Sequence, residues 1–480
     1  MSIVRKTMEE GVVCIMPKNV QGSDKEVTQV QHNPSEDESL QPTTTKDRTM
    51  GPVPYMFMWV GDGVNMGNMT LGASVVVAGA ATLNIFQTLA AALIAILIIS
   101  AIFSLNDRMG YKEGVPYVVQ LRMSFGMKGT IISALMRAVP AIIWYGIQSW
   151  IGGTALNEIM KILTGGSFDS IAICFIALIG LQIVLSMYGF HAIKWVETLA
   201  SVVIMVAMIY VFGILITSYG DVLVEKWVQV EGTWGLPFFG YIMVFLGNYA
   251  AIFLNASDYS RELKTGISNG KRGLMYLSPI VIAYGFILVV GAMVATVTGV
   301  TNPPTALAIV IDNSYVTLGV SAFIVLATVA TNMVANIIPP TYVITLITKV
   351  KYKVAVTIAG VLAAGAFPWV LVQNDNSKGL DIFIKVYSAF LGPIVAILLI
   401  EYYILRKQKV NVENLYKAGG PFAGYNPAAM IALFVGAGIA FVNVDLAWVI
   451  GFVVASIVYM LLTKYAFKDS RFKEDTIFEK

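Results

Sequence analysis

Apolar runs of about twenty residues recur along the chain, separated by shorter stretches rich in Lys, Arg, Gly and Asn. A helix rising 1.5 Å per residue needs about twenty such residues to cross a hydrocarbon layer of ~30 Å. Runs of this kind lie near residues 53–78, 84–105, 130–163, 171–188, 193–217 and 236–256. Others lie near 275–300, 318–346, 354–372, 381–405, 426–441 and 447–465. The pattern predicts an all-α polytopic membrane protein with about 12 transmembrane helices.

Two of the runs are interrupted. Residues 61–68 read GDGVNMGN, with three glycines, two asparagines and an aspartate. Each glycine costs a helix about 1 kcal/mol, and a mid-bilayer carboxylate costs roughly 2.5–3.5 kcal/mol. Backbone unwinds at membrane depth only where protein or a watery cavity satisfies its polar groups. This stretch therefore reads as a broken helix forming part of a binding site, or else as a small-residue face packed on a neighbour. The sixth run has Gly247 and Asn248 in its middle. Matching interruptions five spans apart point to an inverted-repeat transporter with its site at mid-membrane.

Basic residues set the expected orientation. With the N-terminus inside, sixteen Lys and Arg fall in cytoplasmic loops, from Arg108 to Lys417, against Lys161, Lys226 and Lys378 opposite. The excess follows the positive-inside rule and puts both termini in the cytoplasm. Composition agrees: 57% of residues are hydrophobic and 13% charged, where soluble domains carry about 25% charged residues. The net charge of +3 says little about nucleic acid, and no nucleic-acid partner is expected. Cys14 and Cys174, with His32 and His191, are too few and too scattered for a disulfide framework or metal cluster. The expected organisation is a disordered cytoplasmic leader (1–50), a ten-helix transport core (51–406), two further transmembrane helices (407–466) and a cytoplasmic tail (467–480).

Few polar or aromatic residues inside the spans could carry chemistry. Trp144 and Gln148 are four residues apart and share one helix face. An indole fixes the plane of a flat ligand and a carboxamide reads its edge, although packing and interhelical hydrogen bonding use the same residue types. Thr331, Asn332 and Asn336, followed by Pro339 and Pro340, could coordinate a small cation or ligand, or knit helices together. Asp62 is an intramembrane carboxylate, so a proton or charge partner by default, or a cap on the broken helix. Asp258 and Arg261 read as a pair closing the cytoplasmic end of the sixth span. No HExxH, catalytic dyad or repeated pore loop is present, so an enzyme or a channel is the remoter reading.

Together these residues resemble the nucleobase:cation symporter-1 family of cytosine, uracil, allantoin and hydantoin permeases, over roughly residues 53–465. The likeness rests on Trp59, Gly61 and Asn65 in the first span and Arg137, Trp144, Gly146 and Gln148 in the third. Further along it rests on Asn255, Asp258 and Arg261, on Thr331, Asn332, Ala335 and Asn336, and on Glu401, Tyr402, Tyr403 and Arg406. The run after Arg406, KQKVNVENLY, is nearer the allantoin and hydantoin branch.

The resemblance implies a leucine-transporter-like 5+5 inverted repeat with broken helices 1 and 6. It implies that Trp144 stacks on a small heterocyclic substrate whose edge is bonded by Gln148, Asn336 and Asn65. A second stacking residue, usually Trp, corresponds to Tyr249, preceded by Asn248 where the family often has Gly. The cation site maps onto Gly61, Val64, Ala327, Ala330 and Thr331, with Ala330 standing where a serine hydroxyl is expected. The implied coupling ion is Na+ or H+, with Asp62 beside it as proton or charge partner. The expected protein is a monomer in the plasma membrane that imports a planar nitrogen heterocycle without any other cofactor. A vitamin-precursor pyrimidine or a small amine, with Asp62 as counter-ion, is the alternative cargo.

Overall fold

Asn65 ends one helix and starts the next. Helix α1 (Pro52–Gly63) stops at Val64, Asn65 is extended (φ −125°, ψ 161°), and α2 (Met66–Ala73) follows. The Asn65 side chain caps α2 by accepting from the Asn68 N–H, and its Nδ2 donates back to the Asp62 carbonyl at 2.6 Å. Asn68 Nδ2 donates to the Gly63 carbonyl at 2.8 Å. The two asparagines thus meet the need of a chain that unwinds without water. The computed structural model in which these contacts are seen describes residues 37–77, 80–188, 190–311, 313–372, 377–467 and 470–479.

Among the described residues, eight helices are long and apolar enough to cross a membrane by themselves. They fall in α3 (Ile85–Asn106) with its extension α4 (Arg108–Glu113), α5 (Tyr117–Leu163), the later part of α7 (Phe190–Leu223), and α8 (Leu236–Leu254). A short α9 (Ala256–Ser260) separates α8 from α10 (Asn269–Ile280) and α11 (Phe286–Thr298), which a π-turn joins into one span. After α12 (Pro303–Val310), α13 (Ser314–Thr331) and α14 (Ile338–Thr348) form another span across a π-turn at Asn332–Asn336. The last two of the eight are α17 (Ser377–Leu399), which comes after the four-residue α16 (Trp369–Val372) and is continued as a π-helix, and α19 (Ala447–Leu461). With the broken first span and the shorter apolar helices α6 (Ile171–Ser186), α15 (Tyr352–Ala364) and α18 (Pro427–Ala440), they account for the twelve expected apolar runs.

The glycines of the first span also serve close packing. A Cβ on Gly72 would lie 2.0 Å from the Leu288 carbonyl oxygen, and one on Gly291 2.1 Å from that of Met69. Helices α2 and α11 therefore touch backbone to backbone. The break and the small-residue face, alternatives in the sequence, occur together.

The sixth span departs from expectation. Helix α8 runs unbroken through Gly247 and Asn248, and the interruption comes at Asn255 (φ −98°, ψ 31°). Gly247 is used for close approach, since a Cβ there would lie 2.5 Å from Ser388 Oγ. Asn248 spends its amide laterally on Asn68 Oδ1 at 2.8 Å. At the true break, Asn106 Nδ2 donates to the carbonyls of Phe253 (2.9 Å) and Leu254 (2.6 Å). Both breaks thus have their freed carbonyls served by asparagine. Helix α5 is likewise two helices, merged across a left-handed Gly126 (φ 80°) whose Cβ position is filled by the Gly424 carbonyl.

The Asp258–Arg261 pair does not form. Asp258 accepts from the Tyr117 N–H at 2.7 Å and from Asn255 Nδ2 at 3.3 Å, whereas Arg261 turns to Glu262 at 3.5 Å. Arg261 also donates to the Ser39 carbonyl at 3.0 Å. That contact belongs to a strap that corrects part of the expected leader. Residues 1–36 lie outside the described residues, but 37–50 are laid across the helix ends. The Leu40 carbonyl accepts from Tyr416 (2.8 Å), Thr43 N–H donates to Gly114 (2.9 Å), and Met50 pairs with Glu262 and Lys264 through backbone. At the other terminus Arg406 binds Glu401 at 2.6 Å and reaches the carbonyls of Phe472 and Glu474, so residues 470–479 are tied to the tenth span.

Candidate functional site

The break in the first span opens onto a cavity between four spans. Asp62, Asn65 and Asn68 come from the break itself, Trp144 and Gln148 from α5. Asn248, Ala251 and Ile252 come from α8, and Thr331, Ala335 and Asn336 from the eighth span. Its volume of about 20 Å³ is room for roughly one water. A ring can enter only if the spans move apart.

Trp144 and Gln148 face the cavity together, as their spacing requires. The indole is 6% exposed, so it does not face lipid. Its Nε1 reaches Tyr387 Oη at 3.4 Å, and its ring lies 6.1 Å from that of Phe383. Both partners are on α17, which fixes the indole plane from behind. Gln148 Nε2 donates to Asn65 Oδ1 at 2.9 Å, tying α5 to the break. Gly67 lies under this pair: a Cβ there would be 2.9 Å from the Trp144 ring and 3.0 Å from Gln148 Nε2.

Asn336 sits in the π-turn, which presents it to the cavity while Asn332, four residues earlier, points into the bundle. Asn332 Nδ2 donates to the Tyr145 carbonyl (3.2 Å), Ser149 Oγ (3.0 Å) and Gln182 Oε1 (2.8 Å). Its Oδ1 receives Asn336 Nδ2 at 2.9 Å. A π-turn adds one residue per turn and so rotates the following side chains, a device frequent at functional sites. Arg137 closes this end, donating to the Ala335 carbonyl and to Asn255 Oδ1, both at 2.9 Å.

Tyr249 is the site residue that the fold moves elsewhere. It does not line the cavity; its ring packs on Tyr284 (4.6 Å between centroids) and Phe103 (6.3 Å). Its hydroxyl is beside the Asp62 carboxyl, outside hydrogen-bonding geometry. With α8 continuous through Gly247, the helix turns Asn248, Ala251 and Ile252 inward and Tyr249 away. The sixth-span wall is therefore amide and aliphatic.

The residues matched to a cation site (Gly61, Val64, Ala327, Ala330 and Thr331) are all buried, on the end of α1 and on α13, which pack together. Thr331 Oγ1 has no hydrogen-bond partner, and Ala330 brings no side-chain oxygen. Asp62 is fully buried; neither carboxylate oxygen has a hydrogen-bond partner, and the residue lines the cavity beside Thr331. Asn68, Ala251, Ile252, Ala335 and Tyr387 were not singled out as site residues from sequence. Asn68 carried a signal as the last polar residue of the 61–68 interruption, and Ala335 as a member of the eighth-span motif; Ala251, Ile252 and Tyr387 carried none.

The chain as a whole is similar to known proteins. Residues 42–466 fit the family model described as permease for cytosine/purines, uracil, thiamine, allantoin. The chain belongs to this permease family, the nucleobase–cation symport-1 family. It is 28% identical to the allantoin permease of Bacillus subtilis (strain 168) over 477 residues, covering 91% of this chain and 95% of that protein. It is 25% identical to the hydantoin permease of Microbacterium maritypicum over 449 residues, covering 89% and 88%. Among solved structures, the transporter Mhp1 of the same family, closed with bromovinylhydantoin bound, superposes with a TM-score of 0.80 at 22% identity, covering 94% of this chain and 97% of that one. The fold is thus the all-α leucine-transporter-like one expected, and the protein is a multi-pass membrane permease and not an enzyme.

Proposed function

We propose that this permease is a secondary active transporter that carries a planar nitrogen heterocycle across the plasma membrane by cation-coupled alternating access. The observation that carries the reading is the cavity itself. It lies at the break of the first span, walled by the Trp144 indole and by Gln148, Asn65, Asn248 and Asn336. In this reading the indole stacks on the ring and the amides bond its edge. The nearly filled cavity supports a cycle in which the spans part to admit substrate from one side and then the other. Two relatives are permeases for allantoin and hydantoin, which supports a small heterocycle as cargo.

The coupling ion is Na+ or H+, held where α1 ends against α13. Thr331 Oγ1 and backbone carbonyls of Gly61, Val64, Ala327 and Ala330 would be its oxygen ligands, with Asp62 supplying charge. Both termini face the cytoplasm and the protein works as a monomer. Uptake into proteoliposomes, with inward Na+ and pH gradients applied separately, tests the reading. Saturable uptake of an unmodified heterocycle driven by either gradient supports it; non-saturating flux, or uptake indifferent to both gradients, overturns it.

A further inference from the structure

A second, larger cavity lies far from the first-span break, at the end of the fold that carries the 407–426 loop and the 470–479 tail. About 570 Å³ of space opens between Pro427, where α18 starts, and Ala466, where the π-turn after α19 ends. That is the size of a small-ligand pocket, whereas the central cavity holds roughly one water. Tyr425, Phe467 and Phe472 give it aromatic walls, and Ser470 and Arg471 are its polar groups. Among the described residues no carboxylate lines it.

Hydrogen bonds hold these walls in place. Where α5 kinks at Gly126, the Met127 and Lys128 N–H groups donate to the carbonyls of Phe422 (2.8 Å) and Gly424 (2.9 Å). The Asn426 N–H donates back to the Phe125 carbonyl at 2.9 Å. The tail is fixed by Arg406, bound to the carbonyls of Phe472 and Glu474. Arg471 spends one N–H on the Ala423 carbonyl, and its guanidinium lies 5.7 Å from the centre of the Phe472 ring. A guanidinium has five donors, and among the described residues no carboxylate pairs with this one. Ser470 Oγ accepts from the Phe472 N–H at 3.3 Å, which leaves its own proton to donate.

Two more exposed cations stand beside these walls. Lys464 precedes Ala466 by two residues and lies 4.8 Å from the Tyr465 ring, and Lys128 is the residue whose N–H is bonded to Gly424. Above the cavity the outer faces of both helices are apolar and exposed: Ile431, Phe434 and Ile439 on α18, Val453, Ile457 and Leu461 on α19. In a protein that spans a bilayer those faces meet acyl chains, so the cavity at their end lies at headgroup depth. Tyrosines at that depth, here Tyr425 and Tyr465, are the usual interfacial residues.

We infer that this cavity binds an acidic phospholipid of the cytoplasmic leaflet, given the orientation proposed above. The phosphate would sit on the free donors of Arg471 and on the Ser470 hydroxyl, with the acyl chains along the outer faces of α18 and α19. Guanidinium and phosphate match through paired N–H bonds, and each basic group near an acidic headgroup adds about fivefold in affinity. A zwitterionic lipid brings its own cation to the same fork and gains less.

The test uses the purified full chain, delipidated in detergent. Phosphatidylglycerol and phosphatidylcholine with identical acyl chains are titrated separately, with bound lipid read by native mass spectrometry and stability by thermal unfolding. One phosphatidylglycerol should bind at least about tenfold more tightly than phosphatidylcholine and raise the melting temperature saturably. Arg471→Gln should lower that affinity at least about tenfold and leave phosphatidylcholine unchanged, and Arg471→Lys should recover only part of it, having a charge but no fork. Lys128→Gln and Lys464→Gln should each lower it about fivefold. Equal affinity for the two lipids in the unmodified chain overturns the inference and needs no variant to fold. A preference that survives all three glutamine substitutions puts the lipid elsewhere and overturns it as well. So does inorganic phosphate or glycerol phosphate that binds and stabilises as strongly as phosphatidylglycerol, since the site would then serve a soluble anion. None of these outcomes touches uptake, so the cargo reading stands or falls separately.

Discussion

Gln148 Nε2 and Asn65 Oδ1, 2.9 Å apart, join the third span to the point where the first comes apart. The same Asn65 oxygen caps the second half of the broken helix through the Asn68 N–H. One side-chain oxygen therefore serves the fold and the site at once. The local defect that costs helix stability is also what orients the amide facing the cavity.

Trp144→Ala should cut uptake at least tenfold at normal expression. Losing an aromatic stacking partner costs about 1–3 kcal/mol by analogy with base–aromatic contacts. Initial rates against substrate concentration check it, and an unchanged KM would count against a stacking role.

Gly67→Ala should weaken binding of any ring that rests on Trp144. The new methyl would sit 2.9 Å from the indole and 3.0 Å from Gln148 Nε2, both of them lining the cavity. The prediction is a rise in the substrate Kd together with a moderate fall in melting temperature, because the indole is held from behind by Tyr387 and Phe383. A large drop in stability with unchanged affinity would refute it.

Gly72→Ala should destabilise the protein, because its Cβ would lie 2.0 Å from a backbone carbonyl that no side-chain rotation can move. Overpacking of this kind typically costs about 1–3 kcal/mol. Gly180→Ala is the control: nothing lies within 4 Å of its Cβ position. Thermal unfolding of the two variants in detergent separates them.

Asn106→Leu should loosen the sixth-span break. It removes the donor serving the carbonyls of Phe253 and Leu254 and leaves Gln120 Nε2 without its Oδ1 acceptor. Buried groups left unpaired cost about 1–3 kcal/mol each. Faster amide exchange over residues 250–260 is the expected readout.

Glu401→Ala should lower the melting temperature by more than any surface charge deletion. Arg406 and Glu401 are 2% and 1% exposed, and Tyr459 donates to the second carboxylate oxygen at 2.6 Å. Removing one member of a buried pair leaves an uncompensated charge, at a cost of about 3–5 kcal/mol. Loss of order should spread to residues 470–479, whose backbone Arg406 holds.

The interruption at 61–68 was legible because glycine, asparagine and aspartate in an apolar run carry a local free-energy penalty that needs no knowledge of neighbours. Gly247 and Asn248 have the same composition but not the same outcome. Gly247 gives room for the close approach of Ser388, Asn248 bonds Asn68 sideways, and the helix continues. The break moved to Asn255, where Asn106 of another span supplies the donors. Likewise Trp144 and Gln148 could be paired by their spacing, whereas Tyr387 behind the indole had no sequence signal, being far away in the chain.

By itself the sequence determined the membrane class, the number and spacing of apolar spans, the first helix break and the aromatic–amide pair on α5. All of these are settled by transfer free energy and helix periodicity within a few turns. Tertiary structure alone decided that Tyr249 faces away, that Asn248 faces in, and that Gln148 meets Asn65 across the break. Those outcomes depend on helix register and on backbone groups of other spans, and no local pattern carries that information.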